Sequence, residues 1–391
     1  MDELFEQELG RLEQQDLLRT LRRVESCPGA SVTVDGRPVL LLCSNDYLGL
    51  AGHPALRQAA MAAMERCGFG SGAARLVSGN TALHEELEER ISRFKGTEAA
   101  LVFNSGYAAN TGIIPAIAGE GDALFSDSLN HASIIDGCRL SRARTFVYRH
   151  RDRDHLESLL REHPARRRII VTDGVFSMDG DIAPLPDLVG LAERHGALLM
   201  VDDAHATGVL GRQGKGTAEH FGLEGRVTIQ MGTLGKALGS FGAYAAGSRE
   251  LICFLMHTAR SFLYSTSLPP AICAASIAAF DVIASEPWRR ERLWSNRKRL
   301  AEGLVAKGLG IGISETPIIP VPVGEAGRAQ QISNRLFDAG IYATSIRPPT
   351  VPPGSSRIRT TVMSTHTDQD MDRAISAFGM LVDEGLFFHA S

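Results

Sequence analysis

The sequence lacks any strong bias of charge. Across 391 residues the formal balance is −4, which offers no bulk attraction for nucleic acid or for an anionic membrane surface. The short runs Arg166-Arg167-Arg168 and Arg289-Arg290 read as solvated faces. Paired cysteines are missing too. Six thiols, Cys27, Cys43, Cys67, Cys138, Cys253 and Cys273, are scattered with no CxxC spacing. That excludes a disulfide framework and a zinc site and predicts reduced, mostly buried cysteines. No apolar run reaches the roughly 18 residues a membrane span needs, and the polar, acidic residues 1–15 do not form a signal peptide, so a soluble, cytoplasmic chain is expected. Two nucleotide motifs are absent. The glycine cluster at 68–72 has no strand feeding it, and Gly235-Lys236-Ala237 lacks both the glycine spacing and the Ser/Thr of a Walker loop. Asp202-Asp203-Ala204-His205 has no second histidine at helical spacing, so no metal is expected.

What is present is enough apolar content, 44%, for a large core and more than one domain. Leu4, Phe5, Leu9, Leu12, Leu17, Leu18 and Leu21 recur at helical spacing, which predicts a helical arm within residues 1–45. Arg19, Arg22 and Arg23 load its last turns, where they suit the helix dipole. Residues 46–285 read as the large domain. Thr81 caps a helix that ends at Gly96, and strands follow at 99–103, 123–125, 145–148, 169–172, 198–201, 228–231 and 243–246. Helices separate many of them, so the expected class is α/β with a mainly parallel sheet. Residues 286–391 read as a smaller αβ domain. It starts with a charged helix, 290–307, and continues through strands at 318–323, 341–346 and 357–361.

In such sheets ligands collect beyond the carboxyl ends of strands. Asn104-Ser105-Gly106-Tyr107 follows one strand and opens a helix, an arrangement that suits an anion and equally suits an ordinary connection. His131 follows a second strand and Ser177 a third. Asp202 and His205 follow a fourth, and Thr233 and Lys236 a fifth. A lysine among glycines in a partly dry pocket has a depressed pKa and serves as nucleophile and base. Asp202 would be costly to bury unless it met a cation, and a protonated pyridine nitrogen is one. Taken singly, each residue has a plainer reading: a turn cap, a core histidine, a loop lysine. Together, in this order, they are the parts that hold pyridoxal phosphate (PLP).

The runs SNDYLGL, NSGYAAN, DGVFSMDGD, VDDAHATGVLG and TLGKALGSFG resemble the α-oxoamine synthases among the fold-type I PLP enzymes, over nearly the whole chain. The resemblance implies an aspartate-aminotransferase-like fold and a homodimer with active sites at the subunit interface. It implies Lys236 as the Schiff-base lysine, Asp202 at the pyridine nitrogen, His131 stacked on the ring, and His205 with Ser177 near the phenolic oxygen. Gly106, Tyr107 and Thr233 would hold the cofactor or its phosphate, and Ser265 and Thr266 would reach the phosphate in the partner subunit. Arg19, Asn45, His131, Thr350 and Arg359 would contact substrate, with Arg359 on the amino-acid carboxylate. The run SIRPPTVP at 345–352 resembles the branch that condenses L-alanine with a pimeloyl thioester, carried on coenzyme A or a carrier protein, on the way to biotin. A glycine-using acetyltransferase of the same family is the alternative, and a non-catalytic PLP scaffold a remote third. Two departures stand out: Gly70-Ser71-Gly72-Ala73-Ala74-Arg75 where members often read GSGGSR, and Ala243 where a second glycine is common. Glycine users in the haem pathway tend to carry threonine where Ser71 stands, and the smaller serine leaves room for alanine's methyl.

Overall fold

The computed structural model describes residues 2–387. Its first helix, Asp2–Gln14, ends sooner than the leucine spacing predicts. Asp16 takes a left-handed φ of 56°, so Arg19, Arg22 and Arg23 lie beyond the helix and not on its last turns. They find other partners. The Arg22 guanidinium lies 3.8 Å from the centroid of the Phe337 ring, a cation–π contact, and Arg23 pairs with Glu25. A hairpin follows, β1 (Ser31–Val34) and β2 (Arg37–Leu41). Its turn is Asp35-Gly36, with φ of 49° and 75°, the residue pair that favours a tight hairpin turn.

The chain divides into two compact units, one of which is Leu50–Phe176 with Ile182–Arg290. Its sheet has seven strands: β3 (Ala99–Phe103), β4 (Ala123–Asp127), β5 (Arg144–Tyr148), β6 (Arg168–Asp173), β7 (Leu198–Asp202), β8 (Ile229–Thr233) and β9 (Ala243–Gly247). The order is β3-β9-β8-β7-β6-β4-β5. Only β9 runs against its neighbours, between β3 and β8. The inner strands are apolar and buried on both faces, as parallel strands under helices must be. Along β6 the alternation is plain: Ile169 and Val171 enter one core cluster and Ile170 the other. Each such side chain contributes about 1.5–3 kcal/mol by leaving water. Pairing of Asp173 with Asp202 and of Asp202 with Met231 aligns the strands so that their carboxyl ends share one edge of the sheet.

The other unit holds residues 2–49, 177–181 and the described residues from 291 onward. Its remaining strands are β10 (Ile318–Gly324), β11 (Ile341–Tyr342), β12 (Thr344–Ile346) and β13 (Ser356–Thr361). The single strand expected at 341–346 is two. β11 extends the β1–β2 hairpin, and β12 joins β13 and β10 in a separate antiparallel sheet. Thiol burial also differs from expectation. Cys138 and Cys273 are buried and Cys43 is half-buried, but Cys27, Cys67 and Cys253 are exposed. Among the described residues no single helix is long and apolar enough to cross a membrane.

His366 offers a stability test within this unit. It is buried, its Nε2 lies 3.0 Å from the Leu41 carbonyl, and its Nδ1 accepts the Met363 N–H at 3.0 Å. Burial lowers its pKa to about 4. The folded state therefore keeps it neutral while the unfolded chain takes up a proton below about pH 6.5. Its contribution is complete above pH 6.5 and is lost as the pH falls towards 4, by about 3 kcal/mol. Urea unfolding between pH 7 and 4 should show a shallower loss of stability in His366→Gln than in the wild type, and equal slopes would refute this assignment.

Candidate functional site

Lys236 stands in the loop between β8 and β9, half-buried. The loop is shaped by backbone bonds: Leu234 N–H to the Gly242 carbonyl at 2.9 Å, Ser240 N–H to Leu234 at 2.9 Å, and Gly239 N–H to Lys236 at 2.8 Å. Gly239 has φ of 63°, and a Cβ there would lie 2.3 Å from the Ala51 nitrogen. Only glycine lets the loop lie this close to the 50–51 backbone.

Asp202 ends β7 and is 4% exposed. Oδ1 accepts the Ala204 N–H at 2.9 Å, and Oδ2 accepts from Asn110 Nδ2 at 2.8 Å. It therefore caps its turn and also sits among buried polar groups. Asp203 points elsewhere, as strand alternation requires. It meets Lys95 at 2.8 Å and Thr217 Oγ1 at 2.6 Å, all three buried. Asp173, at the end of β6, accepts the His131 N–H at 2.6 Å. Burial and then the charge of Asp202 hold the Asp173 carboxyl well above the usual carboxylate range. Charge on Asp173 is thus disfavoured beside Asp202. His131 is exposed by surface area, but protein crowds its ring and the resulting desolvation lowers its pKa; Asp202 opposes that shift and Lys236 adds to it. Asn130 ties β4 to β6, donating to the Val171 carbonyl at 2.8 Å and accepting the Asp173 N–H at 2.9 Å. His205 is buried in the same unit.

At the neighbouring strand ends, Gly106 opens the helix Gly106–Ile117, whose N-cap Ser105 accepts the Ala108 N–H. A Cβ on Gly106 would lie 2.9 Å from Thr233 Cγ2. Thr233 Oγ1 is buried with no hydrogen-bond partner. An orphaned hydroxyl beside a helix N-terminus is what a phosphate would satisfy. Together with the buried acceptor Asp202, this makes the residues present a fit for PLP. Tyr107 donates its hydroxyl to Asp136 at 2.6 Å. Asn104 donates to the Thr266 carbonyl at 2.7 Å, and Ser265 is half-buried beside it. Ser71 donates to the Leu268 carbonyl at 2.5 Å, and Ala74 bridges to Thr266, so the glycine loop is anchored despite its two alanines. Ala243 is fully buried, paired with both Phe103 and Thr233.

The remaining expected residues lie in the other unit. Arg359, on β13, donates to the Ser177 carbonyl at 2.6 Å and to Asn45 Oδ1 at 3.1 Å; Tyr47 donates to the same Asn45 oxygen at 3.3 Å. Arg19 donates to the Pro348 carbonyl at 3.2 Å and lines a cavity of about 580 Å³ with Arg22, Arg347, Gln330 and Asn334. Thr350 closes a turn, its N–H donating to the Arg347 carbonyl at 3.1 Å. Asn110, Ser133, Asp173 and Lys95 were given no role at the site by sequence reasoning. The one available signal was Asn110, a lone amide in the apolar helix GYAANTGIIPAI.

Residues 37–378 match the family model for class I and II aminotransferases. The 8-amino-7-oxononanoate synthase of Geotalea daltonii is 59% identical over 377 residues, 95% of this chain and 96% of that one. That of Geobacter sulfurreducens is 56% identical, covering 96% and 97%. The chain belongs to the 8-amino-7-oxononanoate synthases. Among solved structures, the serine palmitoyltransferase of Sphingomonas wittichii superposes with a TM-score of 0.93 at 30% identity, over 99% of this chain and 98% of that one. A serine palmitoyltransferase solved with PLP matches equally well, covering 98% of each chain. The 8-amino-7-oxononanoate synthase of Francisella tularensis gives 0.77 at 28% identity, over 89% and 98%. The fold is that of the fold-type I PLP-dependent transferases, and the branch read from residues 345–352 is the one to which the curated relatives belong.

Proposed function

We propose that this synthase condenses L-alanine with a pimeloyl thioester to give 8-amino-7-oxononanoate, CO₂ and the free thiol, with PLP as cofactor. The observation that carries the reading is the sheet edge where Asp202 is buried and doubly hydrogen-bonded, with Thr233 Oγ1 unsatisfied at the end of a neighbouring strand. Lys236, Asp202, His131, His205 and Ser177 would hold the ring and its substituents. Gly106, Tyr107 and Thr233 would hold the cofactor or its phosphate, with Ser265 and Thr266 serving a second subunit's site in a homodimer. When bound, PLP supplies an electron sink for the carbon beside the amino group.

The chain's own residues do the rest. Arg359 and Asn45 bind the alanine carboxylate by charge-assisted hydrogen bonds. The Lys236 amine takes the proton from the alanine Cα and later returns one. Asp202 would keep a proton on the ring nitrogen of the bound cofactor. As the bond from Cα to the acyl carbon forms, the carbonyl oxygen gains charge; an N–H from His131 offsets it, a contribution of about 3 kcal/mol. The carbon–sulfur bond then breaks and the sulfur leaves as thiol. The alanine carboxylate departs as CO₂, and a proton takes its place. Arg19 and Thr350 contact the acyl donor, for which the cavity beside Arg19 provides room.

The test offers L-alanine or glycine with pimeloyl or acetyl thioesters, on coenzyme A and on a carrier protein. L-Alanine with a pimeloyl donor should exceed every other pair. Faster turnover of glycine with an acetyl donor would overturn the reading in favour of an acetyltransferase.

A further inference from the structure

A chain of hydrogen bonds through buried Asn110 and Ser133 links Asp202 to His131, and no role above accounts for it. Asn110 is fully buried, and its amide nitrogen donates twice, to Asp202 Oδ2 at 2.8 Å and to Ser133 Oγ at 2.9 Å. Ser133 is 1% exposed. Its Oγ lies 2.7 Å from His131 Nδ1, and its own backbone N–H points at that same nitrogen from 3.2 Å.

The direction of every bond in the chain follows from which groups have hydrogens to give. An ionised carboxylate only accepts, so Asn110 must turn its NH₂ toward Asp202. That orientation leaves Asn110 Oδ1 buried without a partner, a cost accepted because the flipped amide would set oxygen against oxygen. Ser133 Oγ, accepting from Asn110, could still accept or donate towards Nδ1, and the Ser133 backbone N–H decides between the two. That N–H can only donate, and it donates to Nδ1. A ring nitrogen that accepts from that N–H carries no hydrogen of its own, so the Ser133 hydroxyl shares the same lone pair as a second donor. In neutral imidazole the hydrogen then sits on Nε2. Asp173 secures the residue from the other side by accepting its backbone N–H at 2.6 Å.

We propose that Asn110 and Ser133 are positioning residues that hold His131 as the neutral tautomer with its hydrogen on Nε2. The ionised Asp202 sets the direction of the whole chain. His131 then presents a donor aimed by the fold, ready for the oxygen that gains charge when the thioester is attacked. The inference rests on reading Lys236, Asp202 and His131 as the reaction centre, but the tautomer can be read without any turnover.

The experiment records ¹⁵N imidazole spectra of histidine-labelled protein without substrates, His131 being assigned by its loss in His131→Gln. The wild type should show a fixed Nε2–H tautomer. Ser133→Ala keeps the backbone N–H on Nδ1 but loses the hydroxyl, so part of the population should now carry its hydrogen on Nδ1, and its kcat/KM for the acyl donor should fall roughly 10- to 100-fold, part of what a positioned acid contributes. Its affinity for L-alanine should stay within about twofold. Ser133→Thr, which keeps the hydroxyl, should restore both the spectrum and the rate. A hydrogen on Nδ1 in the wild type, or an unchanged spectrum in Ser133→Ala, overturns the proposal. A wild type with the expected spectrum and no activity on any thioester would instead remove the assigned reaction and leave the tautomer standing.

Discussion

Lys236→Ala should abolish condensation while leaving a folded protein. Turnover, followed by release of free thiol from the pimeloyl donor in the presence of L-alanine, should drop by at least about 10⁴-fold. One amine is asked both to hold the cofactor and to move the Cα proton, and each task alone accounts for orders of magnitude. The fold should survive because the loop owes its shape to backbone bonds between Leu234 and Gly242, Ser240 and Leu234, and Gly239 and Lys236. None of them uses the lysine side chain. The melting temperature of the variant should therefore lie within a few degrees of the wild type. Turnover above about one per cent of wild type would show that the proton from alanine has another acceptor.

Asp203→Asn should cost stability and not chemistry alone. Lys95 and Asp203 form an ion pair at 2.8 Å with side chains 0% and 1% exposed. Burial is the largest influence and lowers the Lys95 pKa, but the charge and hydrogen bond of Asp203 together with Tyr244 and Glu219 outweigh it, and the net shift is upward. The Lys215 carbonyl and Thr217 complete the shell around the pair. Neutralising the acid leaves a buried ammonium without its counter-charge, which typically costs 3–5 kcal/mol, whereas removing both partners for apolar residues is far milder. Urea unfolding should thus rank Asp203→Asn well below the double variant Lys95→Met with Asp203→Leu. A loss under about 1 kcal/mol for the single change would mean that water or another acid already reaches the lysine.

The neighbouring aspartates show what can be read from a string of residues. Asp202 was legible because an acid at the end of an apolar strand needs a partner, and Thr233 and Lys236 because the glycines around them mark close approach. The mainly parallel sheet followed from strands spaced by helices. What escaped was whatever depends on pairing across long separations. Nothing local tells that Lys95 meets Asp203, or that Asn110 reaches Ser133 on another helix. Local signals were also missed or misread. Asp35-Gly36 announced a hairpin that the apolar count alone did not suggest, and the leucine periodicity ran past Asp16, where the backbone turns. The break at Ala343 sends two halves of one apolar run into different sheets, a decision made by tertiary pairing rather than by propensity.

One topological detail bears on how such a site can change over time. Because β9 returns directly alongside β8, with Thr233 opposite Ala243, the amine rides on a short leash fastened at both ends, whereas the groups that follow β4, β6 and β7 come from longer excursions between parallel strands. Inserting a single residue at 234–242 would leave every strand intact yet throw the lysine off target, while similar insertions in the excursions could be absorbed. Length variation among functional relatives should therefore be tolerated nearly everywhere on this rim of the sheet except in that one return.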